Sequence, residues 1–216
     1  MSQIGRWIDA VIRDGAAPLM KREGFKKSGR NFLKVDAESI AVLNVQASMS
    51  NFGATGKFTI NLGRYFSSVA RAMGDPDLRG SPKEYNCHLR QRIGHLLPKK
   101  LDHWWEIDPE TNLWQLAGDV ARAIETAGLP WLQRMGHLRA LKRTLNGFPS
   151  LRLASVLLLL GEKAQAERCL REFAHEGPMA QARAAEWAKR HGLREGPSEH
   201  PLRKRHQQAA KSTSQV

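Results

Sequence analysis

Residues 86–105, NCHLRQRIGHLLPKKLDHWW, hold one cysteine, three histidines, two arginines and two adjacent tryptophans. Cys87, His88, His95 and His103 are the residue types that bind zinc, but their spacing does not suit it. Structural zinc sites pair ligands two to four residues apart, whereas here the intervals are one, seven and eight. Neighbours in a strand point to opposite faces, so Cys87 and His88 do not meet one ion together. On a helix, His88 and His95 would share a face about 10 Å apart along the axis. No metal or other cofactor is expected. A thiolate at Cys87 activated by His88 would need hydrogen-bond geometry that adjacency does not supply, and a small buried cysteine is the commoner outcome.

A second arrangement suits anions. If residues 87–93 are extended, Cys87, Leu89, Gln91 and Ile93 face one way and His88, Arg90 and Arg92 the other. Asn44 and Gln46 lie on the polar side of one neighbouring strand, Thr59 and Asn61 on that of the next. Should these faces coincide, Gln46, Asn61, His88, Arg90 and Arg92 form a ligand site, with Asn44, Thr59, Cys87 and Trp105 as secondary contacts. Arginine forks match phosphate or carboxylate with paired hydrogen bonds, and a histidine titrates near neutrality. Two other readings stay open: the arginines pair with Glu84, Asp102 or Glu106 on an ordinary solvent face, or residues 88–97 are helical around Leu89, Ile93, Leu96 and Leu97. Of Trp104 and Trp105, a strand would send one inward as bulk and leave the other for stacking. The stretch FKKSGRNFLK interleaves Lys26, Lys27, Arg30 and Lys34 with Phe25 and Phe32. Single-strand binders use such mixtures, but lysines guarding a sheet edge look the same and are the preferred reading.

The chain has 216 residues and a net charge of +13. The excess is +7 in residues 1–107 (17 basic, 10 acidic), +3 in 108–191 and +3 in 192–216, so it is not confined to a tail. Such a balance favours an anionic partner, nucleic acid or an acidic protein. Two distant cysteines are no disulfide framework. The N-terminal stretch MSQIGRWIDAVIRDG lacks the apolar core of a signal peptide, and LASVLLLLG is too short to span a bilayer. A cytoplasmic protein without a membrane partner is expected. There is no G-x-S-x-G elbow, phosphate-binding loop, H-E-x-x-H or dinucleotide fingerprint.

The elements that must position these residues are mixed. Residues 2–23 carry a helical apolar stripe that Gly15 and Pro18 kink or split. Arg30–Val35, Ser39–Ser48 and KFTINLGRYF read as strands, the last with Phe58, Ile60 and Leu62 inward, and WWEI as a further one. Short connections favour an antiparallel meander. Residues 67–84 read as loop with one helical turn, and 112–127 as a helix that Pro130 ends. Trp131–Asn146, Ser150–Leu160, Lys163–His175 and Pro178–His191 read as helices. Within them, ASVLLLLGEKAQAERCLREFA resembles part of a tetratricopeptide helix pair, though a true array needs about three repeats. From Gly192 the chain is polar and expected to be a disordered basic tail.

The ordered set LMKREGFKKSGRNFLK, IAVLNVQASMS, FTINLGRYF, CHLRQRIG and WWEI resembles a mostly bacterial domain of unknown function, number 4304, over residues 2–130. The resemblance implies an α+β domain with an antiparallel sheet and brings no catalytic residue. The expectation is therefore an α+β fold: an N-terminal helix, an antiparallel sheet of about four strands within residues 1–130, a helical extension at 131–191, and a tail at 192–216. Binding is favoured over catalysis. The alternatives are an enzyme acting on a phosphate-bearing substrate through His88, Arg90, Arg92, Gln46 and Asn61, and an immunity-type protein-interaction module.

Overall fold

A computed structural model describes residues 2–193. The chain forms α1 (Gln3–Val11), α2 (Ala17–Arg22), β1 (Lys26–Ser28), β2 (Asn31–Val35), β3 (Ile40–Ala47), β4 (Gly56–Tyr65), α3 (Ser67–Met73), β5 (Leu89–Arg92) and β6 (Trp105–Ile107). Helices α4 (Leu113–Ala123), α5 (Leu129–Arg134), α6 (Leu138–Leu145), α7 (Leu151–Leu159), α8 (Lys163–Ala174) and α9 (Pro178–Arg190) follow. The architecture is the expected α+β, with six strands where about four were expected. All pairings are antiparallel in the order β1-β2-β3-β4-β5, and β6 takes the other end of β4.

The two faces of the sheet differ because side chains alternate along each strand. Phe32, Leu43, Val45, Phe58, Ile60, Leu62, Leu89, Trp105 and Ile107 share one face and form the main core with α1, α4 and α5. The side chains between them point to the opposite face, on which Asn31, Leu33, Asn44 and Gln46 are half-buried while Val42, Thr59 and Asn61 are buried.

Two helices pass their prolines by one device. A five-residue π turn, Ile12–Ala16, precedes Pro18, and another, Ile124–Gly128, precedes Pro130. The widened turn relieves the clash between a proline ring and the carbonyl four residues back. This corrects the expectation that Pro130 ends its helix: the chain runs helically from Leu113 to Arg134. The first π turn also brings Gly15 against α4, where a methyl group would sit 2.3 Å from the Ala117 carbonyl oxygen.

Nor is Trp131–Asn146 one helix. It breaks at Met135–His137 because that segment docks on the β2–β3 turn: Ser39 Oγ donates to Gly136 O (2.8 Å), and Leu138 N donates to Glu38 Oε2 (2.7 Å). Residues 67–84 hold two helical turns where one was expected, closed by Gly74 at φ +85°.

Helices α7–α9 carry a second core that includes Leu153, Leu157, Cys169, Leu170, Phe173 and Trp187, while Val156 of α7 reaches into the first. The end of α9 docks on α3, where the His191 ring lies 2.8 Å from Ala72 O and Arg190 donates to Met73 O at 3.4 Å. Leu193 is buried in the second core, so the tail expected from Gly192 starts no earlier than residue 194; its remainder lies outside the described residues. Among the described residues, no helix is long and apolar enough to cross a membrane.

Candidate binding face of the sheet

Pairing register lines up a polar row across five strands. Ser28 stands opposite Asn31, Asn31 opposite Asn44, Asn44 opposite Asn61, and Asn61 opposite Arg92. Adjacent strands lie about 4.8 Å apart, so the row spans roughly 19 Å. Its side chains bond across strands: Asn44 Nδ2 donates to Asn31 Oδ1 (2.9 Å), Asn61 Nδ2 to Gln46 Oε1 (2.6 Å), and Arg92 Nε to Asn61 Oδ1 (3.3 Å). The faces posited from alternation do coincide, and Gln46, Asn61 and Arg92 meet directly. Thr59 stands beside Gln46 on the same face but is fully buried, its hydroxyl donating to His103 O (2.8 Å).

The row ends in a charged cluster with an aromatic centre. Arg92 Nη1 donates to Asp102 Oδ2 (2.7 Å), which also accepts from Trp104 Nε1 (2.9 Å). These two hydrogen bonds, the arginine's first, hold the Asp102 carboxyl below its ordinary pKa. The Arg92 guanidinium lies 5.2 Å from the Trp104 ring centroid and Lys57 Nζ 5.5 Å, both within cation–π range. Trp104 is half-buried. Trp105 is the inward one of the pair, stacked on Phe58 at 5.6 Å within the core, and does not face the polar row as expected; Trp104 is the outward one.

The other expected residues have different surroundings. Arg90 forms a paired contact with Glu84 (2.7 and 3.0 Å) beside Gly63, one register step from the row. Cys87 does not face with Leu89. It folds over Gly63, where an added methyl would meet its Sγ at 2.5 Å. Burial, with Glu84 adding to it, pushes its thiol up to about 12, which leaves no thiolate. The His88 ring packs on Tyr65 and Phe66, and its Nδ1 accepts the Phe66 N–H (3.2 Å). Burial first, and Arg152 second, push its pKa down to about 4, so the ring is neutral near pH 7. The extended reading holds for Leu89–Arg92, and the helix weighed for 88–97 is reduced to a short 3₁₀ turn over Ile93–Leu96. Among the described residues, no three His, Cys, Asp or Glu side chains converge as a metal site.

At the sheet's other edge, Phe25 and Phe32 are buried while Lys26 and Lys27 are exposed, with Lys34 over the Phe25 ring at 5.8 Å. Exposed lysines on the edge strand β1 are the arrangement by which sheets guard an edge. A cleft of about 330 Å³ lies in the helical extension, lined in part by Phe148, Leu153, Leu157, Gln165, Arg168 and Cys169.

Sequence reasoning missed one buried cation. Arg64, 3% exposed, points to the core face, donates to the Leu132 carbonyl and Ser39 Oγ, and pairs with Asp36. Its parity with Phe58, Ile60 and Leu62 was the available signal.

Residues 16–134 match a family described as a domain of unknown function, DUF4304, and the chain belongs to that family. No curated protein and no solved structure matches the chain.

Proposed function

We propose that the open face of the sheet is a nucleic-acid-binding surface. The observation that carries the reading is Trp104, at the end of the amide row and within reach of two cations, Lys57 and Arg92, on a face away from the main core. An aromatic ring flanked by cations suits a base and its adjoining phosphates. The half-buried amides of Asn31, Asn44 and Gln46 carry donors and acceptors of the kind that match base edges or ribose hydroxyls, while Asn61 beneath them is buried and holds Gln46 and Arg92 in place. The net charge of +13 supports attraction to a polyanion. The row runs across five successive strands, a length suited to an extended polymer.

The enzyme reading draws less from the same geometry. His88 is buried and neutral and the Cys87 thiol is protonated, so neither offers a ready acid, base or nucleophile on the polar face.

The test is fluorescence anisotropy of labelled 12-nucleotide DNA and RNA with the full chain, across a salt series. Trp104→Ala is expected to weaken binding about tenfold, in line with the loss of one stacked base. Arg92→Ala should weaken it and flatten the salt slope. Absence of binding near physiological salt, or parental affinity in both variants, would overturn the reading. Circular dichroism confirms that the variants are folded.

A further inference from the structure

We infer that this surface continues from the sheet onto the tip of the β3–β4 hairpin, where Phe52 and Met49 receive unstacked bases and make the protein selective for single strands. The inference rests on the reading of the open face as a nucleic-acid site.

Met49 is 100% exposed and Phe52 89%. Single exposed apolar side chains are common on protein surfaces and by themselves mean little. The tip differs in how it is built and in what it adjoins. Phe52 bridges to Thr55 across a tight turn, with Gly53 at φ +63° supplying the left-handed residue. Asn51 clamps the base of the loop: its Oδ1 accepts from Lys57 N (2.8 Å) and its Nδ2 donates to Lys57 O (3.1 Å). Ser48 N donates to the same carbonyl (2.9 Å), and Ser50 N donates to Ser48 Oγ (3.2 Å). The loop's own hydrogen bonds therefore order the backbone from which an exposed phenyl ring and thioether project.

Lys57, which Asn51 clamps, is the residue whose ammonium lies over Trp104. Lys57 thus joins two features: its ammonium lies over Trp104, and its backbone anchors the hairpin loop that carries Phe52. A nucleic-acid strand presents bases and phosphates in alternation. Stacking on an isolated phenyl requires a base free of its partner, which a single strand offers and a duplex interior does not. Met49 adds a soft, adaptable apolar contact that tolerates any base. Two apolar residues among Ser48, Ser50, Asn51 and Thr55 make a small membrane anchor, while the amide row has no counterpart in a lipid surface.

The experiment uses the full chain, a labelled 12-nucleotide strand, the matching 12-base-pair duplex, and vesicles containing phosphatidylserine. The double variant Met49→Ser/Phe52→Ser is compared with Trp104→Ala and with Phe52→Trp. The expected result is about a tenfold loss of single-strand affinity in the tip variant, with duplex affinity unchanged and Phe52→Trp at least as tight as the parent. If Trp104→Ala weakens binding and the tip variant does not, the inference falls and the sheet-face reading stands. If neither variant weakens binding, both fall. If the tip variant loses vesicle binding while its affinity for the strand is unchanged, the tip is a membrane contact and the inference is overturned. The tip side chains are exposed, so substituting them leaves the fold in place.

Discussion

Arg64 and His88 are polar residues that the fold uses internally. Arg64 is a buried cation whose loss would strand the Leu132 carbonyl and leave Asp36 without its partner. Breaking a buried pair from one side costs about 3–5 kcal/mol, while an exposed pair is worth under about 1 kcal/mol. Arg64→Met should therefore lower unfolding stability in urea by about 3 kcal/mol, and Arg90→Met, whose arginine half is largely exposed, by less than about 1 kcal/mol. Equal losses would mean that Arg64 is no clamp. His88 predicts a pH dependence. Its folded pKa of about 4 lies below the ordinary 6.5, so the fold holds the neutral ring. Above pH 6.5 neither state binds the proton and there is no penalty. Between 6.5 and 4 the unfolded chain takes up a proton that the folded chain refuses. Stability should fall across that window by about 2–3 kcal/mol. In His88→Gln, whose amide oxygen can accept the Phe66 N–H, this part of the loss should vanish; an unchanged profile in urea titrations at pH 7, 6 and 5 would refute it. Alternation placed Gln46, Asn61 and Arg92 on one face correctly. The exchange of Trp105 for Trp104 was not legible, because a two-residue aromatic repeat fits either parity until β6 finds its register on β4.

Among the elements, the strands were readable because their alternation is strong; the missed one, Lys26–Ser28, is three residues long and wholly exposed, with no apolar period to read. The π turns were hidden for another reason. Their sequences, IRDGA and IETAG, differ little from ordinary helix, and only the following proline betrays the extra residue. Gly15 and Gly118 separate packing from propensity at this contact. A methyl at Gly15 would lie 2.3 Å from backbone oxygen of α4, whereas one at Gly118, on that same helix, meets nothing within 4 Å. Gly15→Ala should destabilise by at least about 2 kcal/mol through overpacking against backbone. Gly118→Ala should stabilise by about 1 kcal/mol through helix propensity. Chemical denaturation of both variants decides it: a neutral Gly15→Ala would mean that the first π turn and α4 can part at no cost, contrary to a close-packed crossing.

At the scale of the molecule, the question is whether binding follows total charge or the face. The excess of +13 is spread through the chain, so any polyanion would be attracted somewhere. The proposed face is not uniformly positive: Glu106 stands opposite Lys57 in register and is exposed on the same side. A carboxylate there repels the phosphate that Lys57 would hold, at a distance well inside the screening length of about 8 Å at physiological salt. Glu106→Gln should therefore tighten single-strand binding by about two- to threefold, with the gain shrinking as salt rises. Glu176→Gln changes net charge by the same amount but lies in the turn after α8, on the helical extension. It should leave affinity unchanged. If both variants tighten binding equally, attraction follows the whole molecule's charge and the face has no special part. If only Glu106→Gln does so, the phosphate sits beside Lys57, where Trp104 and the hairpin tip can take the bases on either side of it.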